Sequence, residues 1–359
     1  MTTPQTATAL PAGQRTAGTF TIDTPVLSRG TADRDEMLRD PARITASWAA
    51  AKLIAVGPTG KFAVVGERPA WTPATGGGPP QGAVLLGTVD GVDHWGVLEA
   101  DVDGPTLREL GAVLGDADAG LLVTAAALLG WHARAGFCPT CGEPSTPAPA
   151  GWSRTCSREH QEFPRTDPAV IVLVHDGADK IVLARAPSWA PHRFSVLAGF
   201  TEVGESLEAT VVREIGEEVG LAVTDIRYLG SQPWPFPRSL MVGFAARAEQ
   251  GAQFRPQDGE IAEARWVSRN TVRRVLTRSG WIGPADDGGI PDLAGNARSA
   301  ADARSSGNAH NPGIADPHIA DSLADSHIAR DPGDADDFDL PASISIARRM
   351  IEGWAGIGW

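Results

Sequence analysis

The sequence GFTEVGESLEATVVREIGEEVGL, residues 199–221, is the segment that decides the fold of this chain. Its glycines permit a tight loop between a strand and a helix, and Ser206 can cap that helix. Apolar residues then recur every four positions: Leu207, Val211, Ile215 and Val219. This spacing gives one buried stripe and predicts a helix over residues 207–219.

Three glutamates of this helix, Glu214, Glu217 and Glu218, stand at i, i+3 and i+4 and share an arc of roughly 100° on its surface. Like charges so placed repel one another. Hard divalent cations such as Mg²⁺ and Mn²⁺ favour carboxylate oxygens and would relieve that repulsion. Arg213 can orient one carboxylate through a forked hydrogen bond. The alternative is a solvated acidic helix face, which is the usual fate of a run of glutamates.

The whole segment resembles the Nudix box, with Gly199, Glu205 and the run from Arg213 to Leu221 at the defining positions. The resemblance implies an α/β fold, the Nudix α/β/α sandwich. In that fold the loop and helix bind metals around a nucleoside diphosphate linked to another group. Water attack on phosphorus then hydrolyses the linkage.

The same resemblance assigns the catalytic metal site. It implies Glu214 and Glu218 as ligands of Mg²⁺ or Mn²⁺, with Glu217 as a further ligand or close neighbour. The backbone carbonyl of Ala198, just before the box, completes the set. The general base stays open among Glu214, Glu217 and Glu263.

A second motif, SQPWPFPRS at residues 231–239, follows the box. Its three prolines predict a rigid loop that fixes its two aromatic rings, and packing alone is the other interpretation. The motif resembles the signature that separates NADH pyrophosphatases from other Nudix hydrolases. By that resemblance it borders the substrate and the interface of a homodimer, through Gln232, Trp234 and Ser239 and through Met241 just after the motif.

Three further segments contribute by resemblance. The stretch at residues 258–266 resembles a strand entry whose first glutamate, Glu260, reaches the metals, although a solvated strand edge would look the same. The ending SISIARRMIEGW resembles the family's C-terminus and brings a backbone group of Ala347 to the substrate. Phe163 and Phe200 lie where family members stack a base or nicotinamide ring, unless both are core residues.

The three cysteines indicate a structural metal site. Cys138 and Cys141 form a CxxC pair, and fourteen residues separate Cys141 from Cys156. This spacing resembles the family's zinc ribbon, and CxxC suits tetrahedral Zn²⁺. Where the family has a fourth cysteine this chain has Glu159, followed by His160. We expect zinc held by three cysteines and His160, with a metal-free ribbon held by packing as the alternative.

Six segments are predicted along the chain: a flexible tail at 1–24, a β-rich N-terminal domain at 25–130, a zinc ribbon at 131–165, the Nudix domain at 166–283, a disordered insertion at 284–339 and a C-terminal helix at 340–359. Strands are expected at residues 52–56, 61–65, 83–86, 95–98, 169–175, 180–186, 195–198, 241–248 and 264–267. A further helix is expected at 121–135. The insertion is assigned by composition, because alanine, aspartate, glycine and serine dominate it.

The 359 residues carry a net charge of −13, which argues against a protein whose main task is gripping nucleic-acid phosphates. A small anionic substrate held by metal ions remains compatible with that charge. The polar start lacks the apolar stretch of a secretory signal, and the longest apolar run is too short to span a membrane. We therefore expect a cytoplasmic protein with no membrane partner.

Together these features predict an NADH pyrophosphatase that hydrolyses NADH or NAD to NMN(H) and AMP. Two related activities stay open: a broader ADP-ribose or dinucleotide pyrophosphatase, and removal of NAD caps from RNA. A different class is a non-catalytic zinc-ribbon regulator that senses a ligand. The complete set of box carboxylates and the lack of a basic DNA-binding stretch argue against that class.

Overall fold

The computed structural model describes residues 19–256, 259–280 and 338–356. Most of the predicted tail and of the predicted insertion lies outside the described residues. The inner ends of both segments belong to the core, because Phe20 and Phe338 are each 4% exposed. Phe338 packs edge-on against Phe194 at 5.7 Å between ring centres.

The N-terminal domain is β-rich, as predicted. Its strands are β1 (Lys52–Val56), β2 (Val64–Val65), β3 (Arg68–Pro69), β4 (Thr72–Pro73), β5 (Val84–Val89) and β6 (Val92–Leu98). Its helices are α1 (Pro41–Ser47), α2 (Leu107–Leu110) and α3 (Asp116–His132), with 3-10 turns at Val26–Ser28, Glu36–Arg39 and Trp48–Ala50. One sheet has the order β4-β1-β6-β5, and only its β1–β6 pair is parallel.

Two predicted elements in this domain differ from the structure. The strand expected over 61–65 shrinks to β2, because Lys61 and Phe62 form only isolated bridges, to Thr106 and Val56. The helix expected over 121–135 starts earlier, at Asp116, and ends at His132. Asp116 and Asp118 lie in its first turn, where negative charge stabilises a helix.

The zinc-ribbon segment forms a small antiparallel sheet in the order β7-β8-β9. Its strands are β7 (Ser145–Pro147), β8 (Arg154–Cys156) and β9 (Gln161–Glu162), with a 3-10 turn at Pro149–Gly151. The first cysteine pair lies between α3 and β7.

The catalytic domain holds a six-stranded sheet in the order β13-β14-β10-β11-β15, with β12 paired to β10. Its strands are β10 (Asp167–His175), β11 (Lys180–Arg185), β12 (Leu197–Phe200), β13 (Val223–Trp234), β14 (Ser239–Ala248) and β15 (Glu263–Ser268). Its helices are α4 (Leu207–Val219), α5 (Arg269–Arg278) and α6 (Ile346–Ala355). The central pair β10–β14 is parallel, and the other pairs are antiparallel.

The side chains of β10 alternate between two helix layers. One face packs against α4 through Val170, Val172 and Val174. The opposite face packs against α5 and α6 through Ala169, Ile171 and Leu173. The predicted α/β/α sandwich is confirmed, and the second core continues into the N-terminal domain. No helix in the described ranges is both long enough and apolar enough to span a bilayer.

Two predictions in this domain differ from the structure in where the strands begin and end. The strand expected over 195–198 is shifted to β12, because Leu197–Phe200 pairs with β10 while Ser195 only bridges Ala184. The motif at 231–239 is not entirely a loop, since its first four residues end β13 and pair with β14. The connection between the two strands is therefore confined to residues 235–238.

Candidate active site

Helix α4 has the boundaries that the sequence predicts. The hydroxyl of Ser206 accepts a hydrogen bond from the N–H of Ala209 at 3.2 Å and caps the first turn. Gly220 ends the helix in the left-handed conformation, with φ of 69°. Three residues of the stripe, Val211, Ile215 and Val219, are fully buried against the sheet. This burial fixes the rotation of α4 and so determines where its carboxylates point.

Arg213 connects the carboxylates of the box. Its Nε and one terminal nitrogen donate to the two oxygens of Glu205 at 2.7 and 2.9 Å. Its other terminal nitrogen donates to Glu214 and Glu217, each at 2.9 Å. The guanidinium also donates to the carbonyl of Phe200 at 2.9 Å. Arg213 therefore orients three carboxylates and ties the box loop to the helix.

Glu205 is a positioning residue to which the sequence assigned no role. Arg213 holds its pKa down to about 2, and the N–H of Glu202 and the hydroxyl of Thr210 add hydrogen bonds in the same direction. The carboxylate is thus charged at any pH near neutral. The sequence signal for this pairing is the spacing between Glu205 and Arg213, which α4 converts into contact.

Glu214 and Glu218 have the opposite electrostatic character. Burial raises the pKa of Glu218 well above its ordinary value, and the charges of Glu214, Glu260 and Glu217 raise it further. The pKa of Glu214 is also raised, chiefly by burial and against the opposing effect of Arg213. The site therefore concentrates negative charge that the protein alone does not neutralise.

The donor set fits hard divalent cations. Oε2 of Glu218 is buried and has no hydrogen-bond partner among the described residues, which normally costs about 1–3 kcal/mol or more for a charged group. The carboxylate of Glu214 rests against the backbone of Gly199, leaving no room there for a side chain. Glu260 is exposed, and its charge acts on both Glu214 and Glu218. Oxygen donors of this kind suit Mg²⁺ or Mn²⁺.

The predicted substrate residues meet at one end of the sheet. Backbone pairing puts Phe200, Ala169, Met241 and Gln232 in one row across β12, β10, β14 and β13. Neighbouring strands lie about 4.8 Å apart, so this row spans roughly 15 Å. Ser239 pairs with both Asp167 and Trp234, two residues further along these strands. The box loop and the second motif therefore border the same surface.

Several of these side chains are more buried than a binding residue usually is. Four have relative exposures of 4% or less: Gln232, Trp234, Ser239 and Met241. The amide of Gln232 donates to the carbonyl of Ile344 at 3.0 Å and ties the start of α6 to the row. The N–H of Ala347 bonds the capping hydroxyl of Ser345. The packing of these buried side chains therefore fixes the shape of the predicted substrate surface. Phe200 lies half-buried at the edge of that surface.

Two predicted residues lie apart from this arrangement. Phe163 is 63% exposed, and within the described residues its ring does not stack on Phe200. Glu263 accepts a hydrogen bond from Arg265 at 2.8 Å, and its other oxygen lies 3.9 Å from Arg185. Both oxygens of Glu263 therefore face guanidinium groups.

The structure brings the four predicted zinc ligands together. One ligand atom from each of Cys138, Cys141, Cys156 and His160 lies within 4.8 Å of all the others. Sγ of Cys138 is 3.6 Å from Nδ1 of His160, and Sγ of Cys141 is 3.8 Å from Sγ of Cys156. A tetrahedron with bonds of about 2.3 Å has edges of about 3.8 Å, so the spacing suits Zn²⁺.

Two turns shape this cluster. The N–H of Cys138 bonds the carbonyl of Glu143, whereas the N–H of Cys156 bonds that of His160, so the second turn is one residue shorter. Glu159 adopts φ of 63° in the shorter turn, and His160 follows it back toward the sulfurs. Although burial opposes ionisation of Cys138, backbone N–H groups of Thr140 and Cys141 lower its pKa to about 6. A thiolate is the form that binds metal.

Comparison with known proteins identifies both the catalytic domain and the ribbon. Residues 165–283 match the family model of the NUDIX domain, and residues 133–161 match that of the NADH pyrophosphatase zinc ribbon domain. The fold and the carboxylate helix thus define a Nudix hydrolase with a zinc ribbon.

Sequence relatives extend the match to almost the whole chain. The NAD-capped RNA hydrolase NudC of Mycobacterium bovis is 49% identical over 345 residues, which cover 92% of this chain and 95% of that protein. The NudC of Mycobacterium tuberculosis is 48% identical over the same shares. That of Deinococcus radiodurans is 39% identical over 208 residues, 57% of this chain and 67% of its own. The chain belongs to the NADH pyrophosphatase family of Nudix hydrolases.

Proposed function

We propose that the protein hydrolyses the diphosphate bond of NADH and NAD, giving NMN(H) and AMP. The observation that carries this proposal is the buried carboxylate of Glu218, which lies beside Glu214 and whose Oε2 has no hydrogen-bond partner in the part of the chain that the structure describes. A bound Mg²⁺ or Mn²⁺ would supply positive charge against the diphosphate and acidify the attacking water. The ions would be held by Glu214, Glu217, Glu218, Glu260 and the carbonyl of Ala198.

Arg213 serves this reaction by holding carboxylates rather than by touching substrate. Its hydrogen bonds to the carboxylates and to the carbonyl of Phe200 fix Glu205, Glu214 and Glu217 relative to the box loop. Such preorganisation avoids reorienting the ligands during the reaction. For the general base, Glu214 and Glu217 stay as candidates. Glu263 suits the role less, because Arg265 and Arg185 face its oxygens.

The row at the end of the sheet would receive the dinucleotide. The ring of Phe200 is available there for a base or nicotinamide, and Met241 and Gln232 continue the row. Trp234, Ser239 and Ala347 would shape the same surface. The exposed ring of Phe163 supports a homodimer, in which a partner chain or the substrate covers it. Size-exclusion chromatography with light scattering tests the dimer.

A second candidate substrate is RNA that carries an NAD cap. The names of full-length relatives at 48–49% identity favour it. The bond cleaved is the same, and the substrate differs only in the chain attached to the adenosine. Net charge of −13 requires that any such chain be accepted locally rather than by a broad basic surface.

Product analysis separates the candidates. The purified protein with Mn²⁺ is given NADH, NAD, ADP-ribose and NAD-capped RNA in parallel, and products are separated by chromatography. NMN(H) and AMP from the first two substrates are expected. Cleavage of ADP-ribose with NADH left intact would replace the proposal with a broader pyrophosphatase. Failure to cleave any of the four would favour a ligand-sensing regulator.

A further inference from the structure

A cavity of about 300 Å³ lies between the N-terminal domain and the connection from β13 to β14. Its walls come from residues 56–60, Leu98, the start of α2, the end of α3 and residues 235–237. This volume is at the lower end of the range for small-molecule sites. None of the metal-site carboxylates lines it.

Two arginines line the cavity, although the chain as a whole is acidic. The guanidinium of Arg108 lies 4.3 Å from the ring centre of Phe236 and 6.0 Å from that of Trp234, which holds it against the wall. Arg134 is exposed at the end of α3, and no described carboxylate pairs with it. Burial and, to a smaller extent, the charge of Arg238 lower the pKa of Arg134, although Arg238 is itself paired with Asp167 at 2.7 Å.

This arrangement suits an anion with an apolar body. Guanidinium groups match phosphate oxygens in a forked geometry, and a phosphate would relieve the repulsion among neighbouring cations. Between the arginines the wall is apolar, with Val56, Leu98 and Leu129 available to a sugar or base. We propose that this cavity binds a nucleotide phosphate through Arg108 and Arg134.

The cavity adjoins the substrate row through one connection. Phe236 packs edge-on against Trp234 at 5.0 Å, and the two flanking strands carry Gln232 and Met241. A nucleotide that follows the cap of an RNA substrate would therefore meet Arg108 and Arg134 after leaving the row. A free mononucleotide offers the same chemistry. The inference that the nucleotide belongs to an RNA substrate rests on the proposed function, whereas the inference that a free nucleotide binds does not.

The test varies the exposed Arg134, as Arg134→Gln and Arg134→Glu. The matched control variants are Arg68→Gln and Arg68→Glu. Arg68 is equally exposed, on the β2–β3 hairpin away from the cavity. Kinetics with Mn²⁺ are measured on NADH and on an NAD-capped oligoribonucleotide over a range of salt. For an RNA ligand, Arg134→Glu raises KM for the oligonucleotide by about tenfold and leaves KM for NADH within about twofold. Arg134→Gln reduces the slope of log KM for the oligonucleotide against log salt concentration by about one.

Thermal denaturation with added AMP gives a readout independent of turnover. For a free mononucleotide ligand, AMP raises the Tm of wild type and the Arg68 variants, and the Arg134 variants lose much of that shift. Equal changes in KM for NADH and oligonucleotide would overturn the proposal, because Arg134 would then act on the shared dinucleotide. The proposal would also be overturned if the Arg134 variants behaved like the Arg68 variants in both assays. If no substrate is cleaved, the AMP shift alone decides.

Discussion

The carboxylate of Glu214 occupies the space that a Cβ atom on Gly199 would fill, and its three outer atoms are the nearest atoms to that position. Gly199 is the penultimate residue of β12, the strand that leads into the box loop, and Glu214 lies two turns into α4. The carboxylate that we propose as a metal ligand is thus positioned by the absence of a side chain on the facing strand. This relationship explains the glycine at the first box position without invoking its backbone freedom.

Gly199→Ala is expected to displace the Glu214 carboxylate and lower kcat by about 100-fold, since one misplaced ligand can cost that much. Hydrolysis of NADH at saturating Mn²⁺ measures it. Gly216→Ala is the matched control, because Gly216 lies in the same helix with nothing within 4 Å of its added Cβ. That variant should keep full activity and gain about 0.5–1 kcal/mol of stability. Normal activity in Gly199→Ala would remove Glu214 from the ligand set.

Glu218→Gln is expected to lower kcat by about 100-fold or more, because the neutral amide cannot replace a charged ligand. The metal-free variant should be no less stable than wild type, since a buried carboxylate without a partner is removed. Kinetics and thermal denaturation test both statements. Glu208→Gln serves as control, because Glu208 is exposed in the first turn of the same helix. Activity of Glu218→Gln within tenfold of wild type would contradict the ligand assignment.

Features set by local sequence could be predicted from the chain alone. The bounds of α4 follow from its apolar stripe, the capping Ser206 and the left-handed Gly220, and the structure reproduces them. Helical spacing likewise grouped Arg213 with the glutamates next to it. These contacts depend only on helix geometry, which fixes neighbours three and four residues apart.

Features set by long-range pairing could not be predicted in this way. The row through Phe200, Met241 and Gln232 exists because three distant strands share one register. Whether Glu263 faces metal ions or arginines depends on its pairing with Arg185 across β11 and β15. The arginine cavity needs the docking of two domains. Such arrangements have no local pattern that sequence spacing could reveal.

The contribution of His132 to stability should fall as pH decreases from about 7.5 to 6. Burial lowers the pKa of His132 below 6.5, its value in an unfolded chain. The unfolded chain therefore takes up a proton first as pH falls, and folding loses free energy. Nδ1 of His132 faces the guanidinium of Arg154 at 3.0 Å, and Nε2 faces the carbonyl of Gly151 at 2.8 Å. A proton on Nδ1 would replace the hydrogen bond with repulsion.

The Tm of wild type and His132→Asn, measured across this pH range, tests that contribution. The variant keeps an acceptor near Arg154 and loses the titrating ring, so its Tm should be lower but less dependent on pH. His94 and His175 also have a lowered pKa from burial, so some dependence remains. Parallel curves for the two proteins would show that His132 contributes nothing to it.

One Zn²⁺ per chain is expected in the ribbon, with a structural role, because four protein ligands leave no open position for water. His160→Ala and Cys156→Ser should each lower zinc content after dialysis and destabilise the ribbon. Glu159→Ala is the control that identifies the fourth ligand. It removes a carboxylate from the family's fourth position but keeps His160, so zinc should stay bound. Zinc lost in Glu159→Ala and retained in His160→Ala would reverse the assignment, and wild type without zinc would mean that packing alone holds the ribbon.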